Sequence, residues 1–202
     1  YFPWCRTIGC FARVTDVASK TGEELAALRE AGYTGLTIGI ETGDDAALAF
    51  MNKGYAAQDI IAQCARLDAA DIAYAFFYLA GISGKGRGIE GARLTTAACN
   101  QTRPSLIGAN MLTIYKNSEL YQEILDGNWE EETEIEKYQE IKALVEGLEI
   151  PVEFAMLGAS NPVMLQGRLP EQRGQLLAAL ESIINDIGEY RLRSYRTNLR
   201  HL

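Results

Sequence analysis

Short runs with the composition of β-strands alternate with capped helical stretches along the first half of this chain. That alternation predicts parallel strands joined by crossover helices. Residues 13–17 read as a short strand, leading to a helix that begins at the capping box Thr21-Gly22-Glu23-Glu24 and stops at Gly32. A strand over 34–40 follows. Thr42 is placed to cap the next helix, with Asp44 and Asp45 in its first turn and Gly54 at its end. A helix over 56–70, a strand over 72–79, a glycine-rich loop over 81–91, a helix over 92–101 and a strand over 106–115 complete the series. The last strand is expected to close the barrel portion.

Beyond Tyr115 the pattern turns helical, over 118–126, 130–148 and 170–190, the last opening with Pro170 at a first-turn position. The class is therefore α/β: a partial (β/α) TIM-like barrel with parallel strands over 1–115 and a mostly helical extension over 116–202. With 202 residues, 48% of them hydrophobic, the chain can bury one sizeable core with an appendage. No apolar run reaches the roughly 18 residues that span a bilayer, and no secretory leader pattern is present. The expectation is a cytoplasmic protein.

A formal charge of −8 opposes broad capture of nucleic acid. The exception is the tail, where Arg191, Arg193, Arg196 and Arg200 interleave with Tyr190 and Tyr195, either as a basic patch or as a docked or frayed end. The single histidine, His201, is the second-last residue, which nearly excludes Ser-His-Asp, Cys-His and H-E-x-x-H chemistry. Cys5, Cys10, Cys64 and Cys99 do not have the spacing of paired C-x-x-C zinc sites.

The chemistry concentrates in residues 37–54. Glu41 ends an apolar run that contains two isoleucines and no charge, as expected of a strand covered on both faces, and an ionisable group there costs free energy unless something binds it. A ligand could offset that cost, since ligands of parallel α/β barrels sit at the carboxyl ends of strands. A helix cap or an arginine pair is the plain structural alternative. Lys53, twelve residues on, supplies a cation, or stands as an exposed lysine at a helix end. Its use as an amine nucleophile would need desolvation inside the barrel, which a position beside Gly54 opposes. The loop over 81–88 lacks Walker spacing and the dinucleotide fingerprint. The run Glu130-Glu131-Glu132 with Glu134 and Glu136 reads as a solvated helix start rather than a metal site.

Four blocks carry a family resemblance: Phe11-Ala12-Arg13-Val14-Thr15, the stretch over 37–54, the block Gly81-Ile82-Ser83-Gly84-Lys85-Gly86-Arg87-Gly88, and Leu112-Thr113-Ile114-Tyr115-Lys116-Asn117-Ser118-Glu119-Leu120-Tyr121. Together they resemble radical S-adenosylmethionine iron–sulfur oxidoreductases, in the branch that looks like oxygen-independent coproporphyrinogen oxidase, over most of the chain. The family's C-x-x-x-C-x-x-C cluster motif is missing. The opening Tyr1-Phe2-Pro3-Trp4 resembles the link between the family's second and third strands, so a fragment is expected, inactive alone. The resemblance implies S-adenosylmethionine as cofactor, a [4Fe-4S] cluster held elsewhere in the full-length parent, and an electron donor such as flavodoxin or ferredoxin. It implies an unknown small-molecule substrate and hydrogen abstraction by a 5′-deoxyadenosyl radical. Glu41 would meet ribose hydroxyls or the methionine amino group, with Thr42 and Gly43 allowing close backbone approach. Lys53 would meet the methionine carboxylate. Gly81 opens the turn beside the cofactor, Thr113 and Tyr115 line the adenine pocket, and Thr15 faces the same cavity. Phe77 stands where the branch places an acid for ribose, and Leu157-Gly158 replace an Asn-His pair. A non-catalytic nucleotide- or protein-binding module on a degenerate barrel is the alternative.

Overall fold

A computed structural model describes Trp4 and residues 7–198. The expectations resting on Tyr1, Phe2, Pro3, Cys5, Arg200 and His201 lie outside the described residues. One six-stranded sheet runs in chain order: β1 (Ile8–Arg13), β2 (Tyr33–Glu41), β3 (Ala73–Ala80), β4 (Leu106–Met111), β5 (Val152–Met156) and β6 (Leu165–Leu169). The first five strands are parallel and β6 returns antiparallel to β5. This is the expected α/β partial barrel. The sheet runs on past β4, however. Residues 152–156 and 165–169, expected within a mostly helical region, add two strands.

The helices between strands start where local chemistry starts them. In α2 (Gly22–Glu30), the Glu24 amide donates to the Thr21 hydroxyl at 3.1 Å and the Thr21 amide donates to the Glu24 carboxylate at 2.8 Å, so both halves of the capping box form. In α7 (Glu134–Gly147), Thr133 and Glu136 repeat the device, so this helix begins four residues later than the acidic run suggests. Val14–Ala18 forms a helix, α1, and not the expected strand, because Asp16 accepts from the Arg13 amide at 2.8 Å and closes a first turn. The cap of α3 (Asp45–Phe50) is Asp44 and not Thr42. Its carboxylate accepts from Ala46 and Ala47 at 3.0 and 3.3 Å, while Thr42 accepts from the Asp44 amide. The remaining helices are α4 (Ala57–Ala69), α5 (Gly88–Cys99), α6 (Glu119–Leu125), α8 (Arg173–Ser182) and α9 (Glu189–Thr197). A π-turn over Ile183–Ile187 and Gly188, at φ 81°, separate the last two, breaking the single helix expected over 170–190.

One face of the sheet makes the core. Leu36, Ile38 and Ile40 on β2, Tyr74, Phe76 and Tyr78 on β3, and Phe154 on β5 are buried together with Leu67, Ile141, Leu144 and Leu180 from the helices. The intervening positions are mostly half-buried or exposed. β2 is therefore covered on one face among the described residues, and the expected covering on both faces is not found. The cross-strand row Arg13, Gly39, Phe77, Gly108, Ala155 and Gln166 runs over all six strands on the open face. Three of its six residues are Gly or Ala, and Phe77 lies over Gly108 so closely that a Cβ there would come within 2.8 Å of its ring. This face is small-residue floor with one aromatic standing on it, tilted against Phe11 at a ring-centroid distance of 6.2 Å.

Candidate functional site

Glu41 is the last residue of β2 and has φ 59°. A non-glycine residue seldom takes that conformation, which costs roughly 1 kcal/mol or more. Two features hold it there. The Thr42 amide donates to the Ile40 carbonyl at 2.7 Å, closing a three-residue turn around Glu41, and the pairing with β3 slips by one residue between Gly39 and Glu41. The slip re-aims the side chain. Its Oε1 lies 3.1 Å from the point a Cβ on Gly39 would occupy, so the carboxylate folds back over the open face above a residue with no side chain to obstruct it.

Lys53 follows α3, and its Nζ reaches Glu41 Oε1 at 3.3 Å, with both side chains about a quarter exposed. Tyr55 completes the corner: its hydroxyl donates toward the carbonyls of Ile40 at 3.0 Å and Gly39 at 3.3 Å, pinning the two residues before Glu41. Burial, and then the Glu41 charge, push the Tyr55 phenol above its ordinary range, so it stays a donor. No sequence signal distinguished Tyr55.

The structure brings Glu41, Lys53 and Gly39 together and sets the other expected residues around or away from them. Thr42 is buried, its hydroxyl 3.2 Å from that of Thr95 on α5. The Gly43 amide donates to the same Thr95 oxygen at 2.7 Å, and a Cβ on Gly43 would come within 2.7 Å of the Thr95 Cα. The close approach at Gly43 is thus to α5. Thr15 lies on α1, so strand alternation does not set its direction. Its methyl is 3.8 Å from a Cβ position on Gly54, just beyond Lys53. Gly81, at φ 91°, follows β3 and donates its amide to Glu140 at 2.7 Å. Thr113 and Tyr115 lie beyond the end of β4, half-buried and exposed respectively.

Beneath the ends of β3 and β4 sits a cluster of ionised side chains that sequence reasoning missed. Glu134 and Lys137 are fully buried on α7. Arg196 on α9 donates to Glu134 at 2.6 Å, to Glu131, and to the Leu112 carbonyl at 2.8 Å, while Arg193 donates to Glu134 and Glu131 at 3.0 and 2.8 Å. Lys137 adds a bond to Glu131 at 2.7 Å. Burial alone would raise Glu131, but hydrogen bonds and charges from Arg193, Lys137 and Arg196 hold it at about 2. Of the acidic run expected to be solvated, Glu131 and Glu134 are in fact paired with Arg193 and Arg196 of the tail, while Glu130 is exposed beside Lys85. Beside it, Glu140 accepts from the Tyr78 hydroxyl and the Gly81 amide, and Glu132 accepts from the Gly88 amide at 2.9 Å. Burial is the first cause raising both carboxyls; the Glu132 charge and hydrogen bond raise Glu140 further, whereas the hydrogen bond from Glu140 and the Gly88 amide pull Glu132 back down.

Of the described cysteines, Cys10 is exposed, and burial pushes the thiols of Cys64 and Cys99 up to about 12, away from the thiolate a metal needs. No group of three His, Cys, Asp or Glu side chains able to hold a metal occurs among the described residues. The described residues do not fit an iron–sulfur cluster. The end of β2 does fit an amino-acid group, since an acid and a cation stand side by side at the lip of an open sheet face. No helix among the described residues is long and apolar enough to cross a membrane.

No protein-family model matches the chain, and no curated protein matches its sequence. Among solved structures it is similar to the archaeal Methanocaldococcus infernus Elp3 with an N-terminal deletion, at TM-score 0.63 and 14% identity, over 88% of this chain and 42% of that one. The chain thus spans less than half the length of that protein. At this identity the likeness shows the fold alone, a partial α/β barrel.

Proposed function

We propose that this chain is part of a radical S-adenosylmethionine oxidoreductase and that the Glu41–Lys53 corner receives the methionine end of the cofactor. The observation carrying the proposal is the strained Glu41 itself. A residue held at φ 59° so that its carboxylate meets Lys53 over a glycine is a conformation that folding alone does not favour. A zwitterionic amino-acid group matches the pair, its ammonium toward Glu41 and its carboxylate toward Lys53, exchanging one salt bridge for two charge-assisted contacts.

S-adenosylmethionine, when reduced by a cluster held elsewhere in the parent, supplies a 5′-deoxyadenosyl radical for hydrogen abstraction from substrate. The residues described here bind and orient. Tyr55 fixes the carbonyls before Glu41, the Gly39 floor leaves room above it, and Phe77 offers an aromatic edge on the same face. Placement in the coproporphyrinogen-oxidase-like branch rests on the sequence blocks alone. An electron donor of the flavodoxin or ferredoxin kind belongs to the parent.

Equilibrium dialysis of S-adenosylmethionine against this chain tests the reading. Saturable binding that weakens by about tenfold or more in Glu41→Gln and in Lys53→Met is expected. Binding unaltered by both substitutions would remove the corner from the cofactor site.

A further inference from the structure

The carboxyl-end rim of the sheet carries a second built feature beyond the Glu41 corner. Past the end of β4, a cleft of about 460 Å³ is lined by Thr113, Tyr115, Lys116, Glu131, Arg193 and Arg196, among others. We infer that this cleft binds a small organic anion through a carboxylate or phosphate group and, resting on the function proposed above, that this anion is the charged end of the substrate.

Three observations point to a ligand rather than to a structural salt bridge alone. Charges on the lining do not balance, since Lys116, Arg193 and Arg196 face the single acid Glu131. That acid is already committed, accepting from Lys137, Arg193 and Arg196, and the two arginines also share Glu134 behind it, so the cation of the lining left unmatched is Lys116. Lys116 is exposed and forms no ion pair with any described carboxylate. Finally, the Thr113 hydroxyl is enclosed and has no hydrogen-bond partner, an arrangement that buried hydroxyls rarely keep without a ligand or water.

The donors are also distinct in kind. Arg193 is 44% exposed and uses one N–H from each terminal nitrogen on Glu134 and Glu131, which leaves N–H groups for a planar anion. Arg196 is spent on Glu134, Glu131 and the Leu112 carbonyl, and its part is to fix the cleft to the end of β4. An anion seated here would accept from the Lys116 ammonium and the free edge of Arg193, and from the Thr113 hydroxyl once that side chain turns about its Cα–Cβ bond toward the cleft. Because Thr113 and Glu41 follow parallel strands of one sheet at the same end, the anion and the cofactor corner share a rim.

The test is calorimetric titration of the chain with succinate and, separately, with inorganic phosphate, at constant ionic strength set with sodium chloride. One saturable site for at least one probe is expected, the better probe naming the group, with affinity falling about fivefold or more in both Lys116→Gln and Thr113→Val. Neither substitution removes an existing partner, so both variants should fold as the parent chain does by far-UV circular dichroism. No saturable binding of either probe, or affinity unchanged in either variant, would overturn the inference. Glu41→Gln separates the two proposals. It should leave anion binding intact while lowering cofactor binding, so failure at one site is read independently of the other.

Discussion

Lys53 Nζ meets Glu41 Oε1 at 3.3 Å across a twelve-residue separation, and Glu41 adopts φ 59° to make the meeting possible. A partly exposed pair of this kind contributes little to stability, on the order of 0–1 kcal/mol. The strain on Glu41 is of similar size or larger. Glu41→Gly should therefore raise stability by about 1 kcal/mol, because glycine takes positive φ without penalty, while it weakens S-adenosylmethionine binding. Urea denaturation checks the first effect, and a Gly variant less stable than the parent chain would mean that the turn is not strained.

The ion cluster makes the opposite prediction. Arg196→Met removes from the fully buried Glu134 and its neighbour Glu131 a nearly buried guanidinium partner, and should destabilise by about 3–5 kcal/mol. Arg196→Lys should rescue only part of this, since an ammonium lacks the guanidinium fork that spans Glu134, Glu131 and the Leu112 carbonyl. A loss below about 1 kcal/mol in Arg196→Met, by urea titration, would contradict a structural role for the cluster.

Stability should fall on both sides of a mildly acidic optimum. Glu140 and Glu132 are raised in the folded chain, first by burial, so the folded state holds protons that unfolded glutamates, titrating near about 4.3, release. The stability they confer is fully present below that pH and is lost as pH rises through their folded values. Glu131, held at about 2, acts the other way: its contribution is present above about 4.3 and is lost as pH falls toward 2. Glu140→Gln should flatten the alkaline limb of a melting-temperature profile and leave the acid limb in place. An unchanged alkaline limb would show that Glu140 is not raised in the folded chain.

Gly43→Ala should cost about 1–3 kcal/mol, since its Cβ would press within 2.7 Å of the Thr95 Cα and 2.8 Å of the Leu94 carbonyl oxygen. Guanidinium unfolding measures it. A neutral result would mean that α5 shifts freely away from the end of β2.

Much of the sheet was legible. β2 up to Ile40 and β3 announced themselves as uncharged, largely apolar runs between turn residues, and the Glu41–Lys53 spacing pointed to one corner. β5 and β6 were not, because each has five residues and carries charge on its open face, at Glu153 and Arg168, so neither yields the apolar run that marked the earlier strands. The ion cluster was hidden for a different reason. Glu131 and Glu134 stand more than fifty residues from Arg193 and Arg196, and each run taken alone reads as a solvated face. Only the packing of α9 against the start of α7 makes them partners. Tyr55 gave no signal because its role depends on two backbone carbonyls, which no side-chain pattern records.

The most direct test of the central claim uses the longer protein to which this chain is proposed to belong, reconstituted anaerobically with iron and sulfide and supplied with S-adenosylmethionine and a strong reductant, with 5′-deoxyadenosine as the readout. Product that falls by about a hundredfold or more in Glu41→Gln is the predicted result. A fully loaded cluster that yields no product, or product formed equally well by Glu41→Gln, would contradict it.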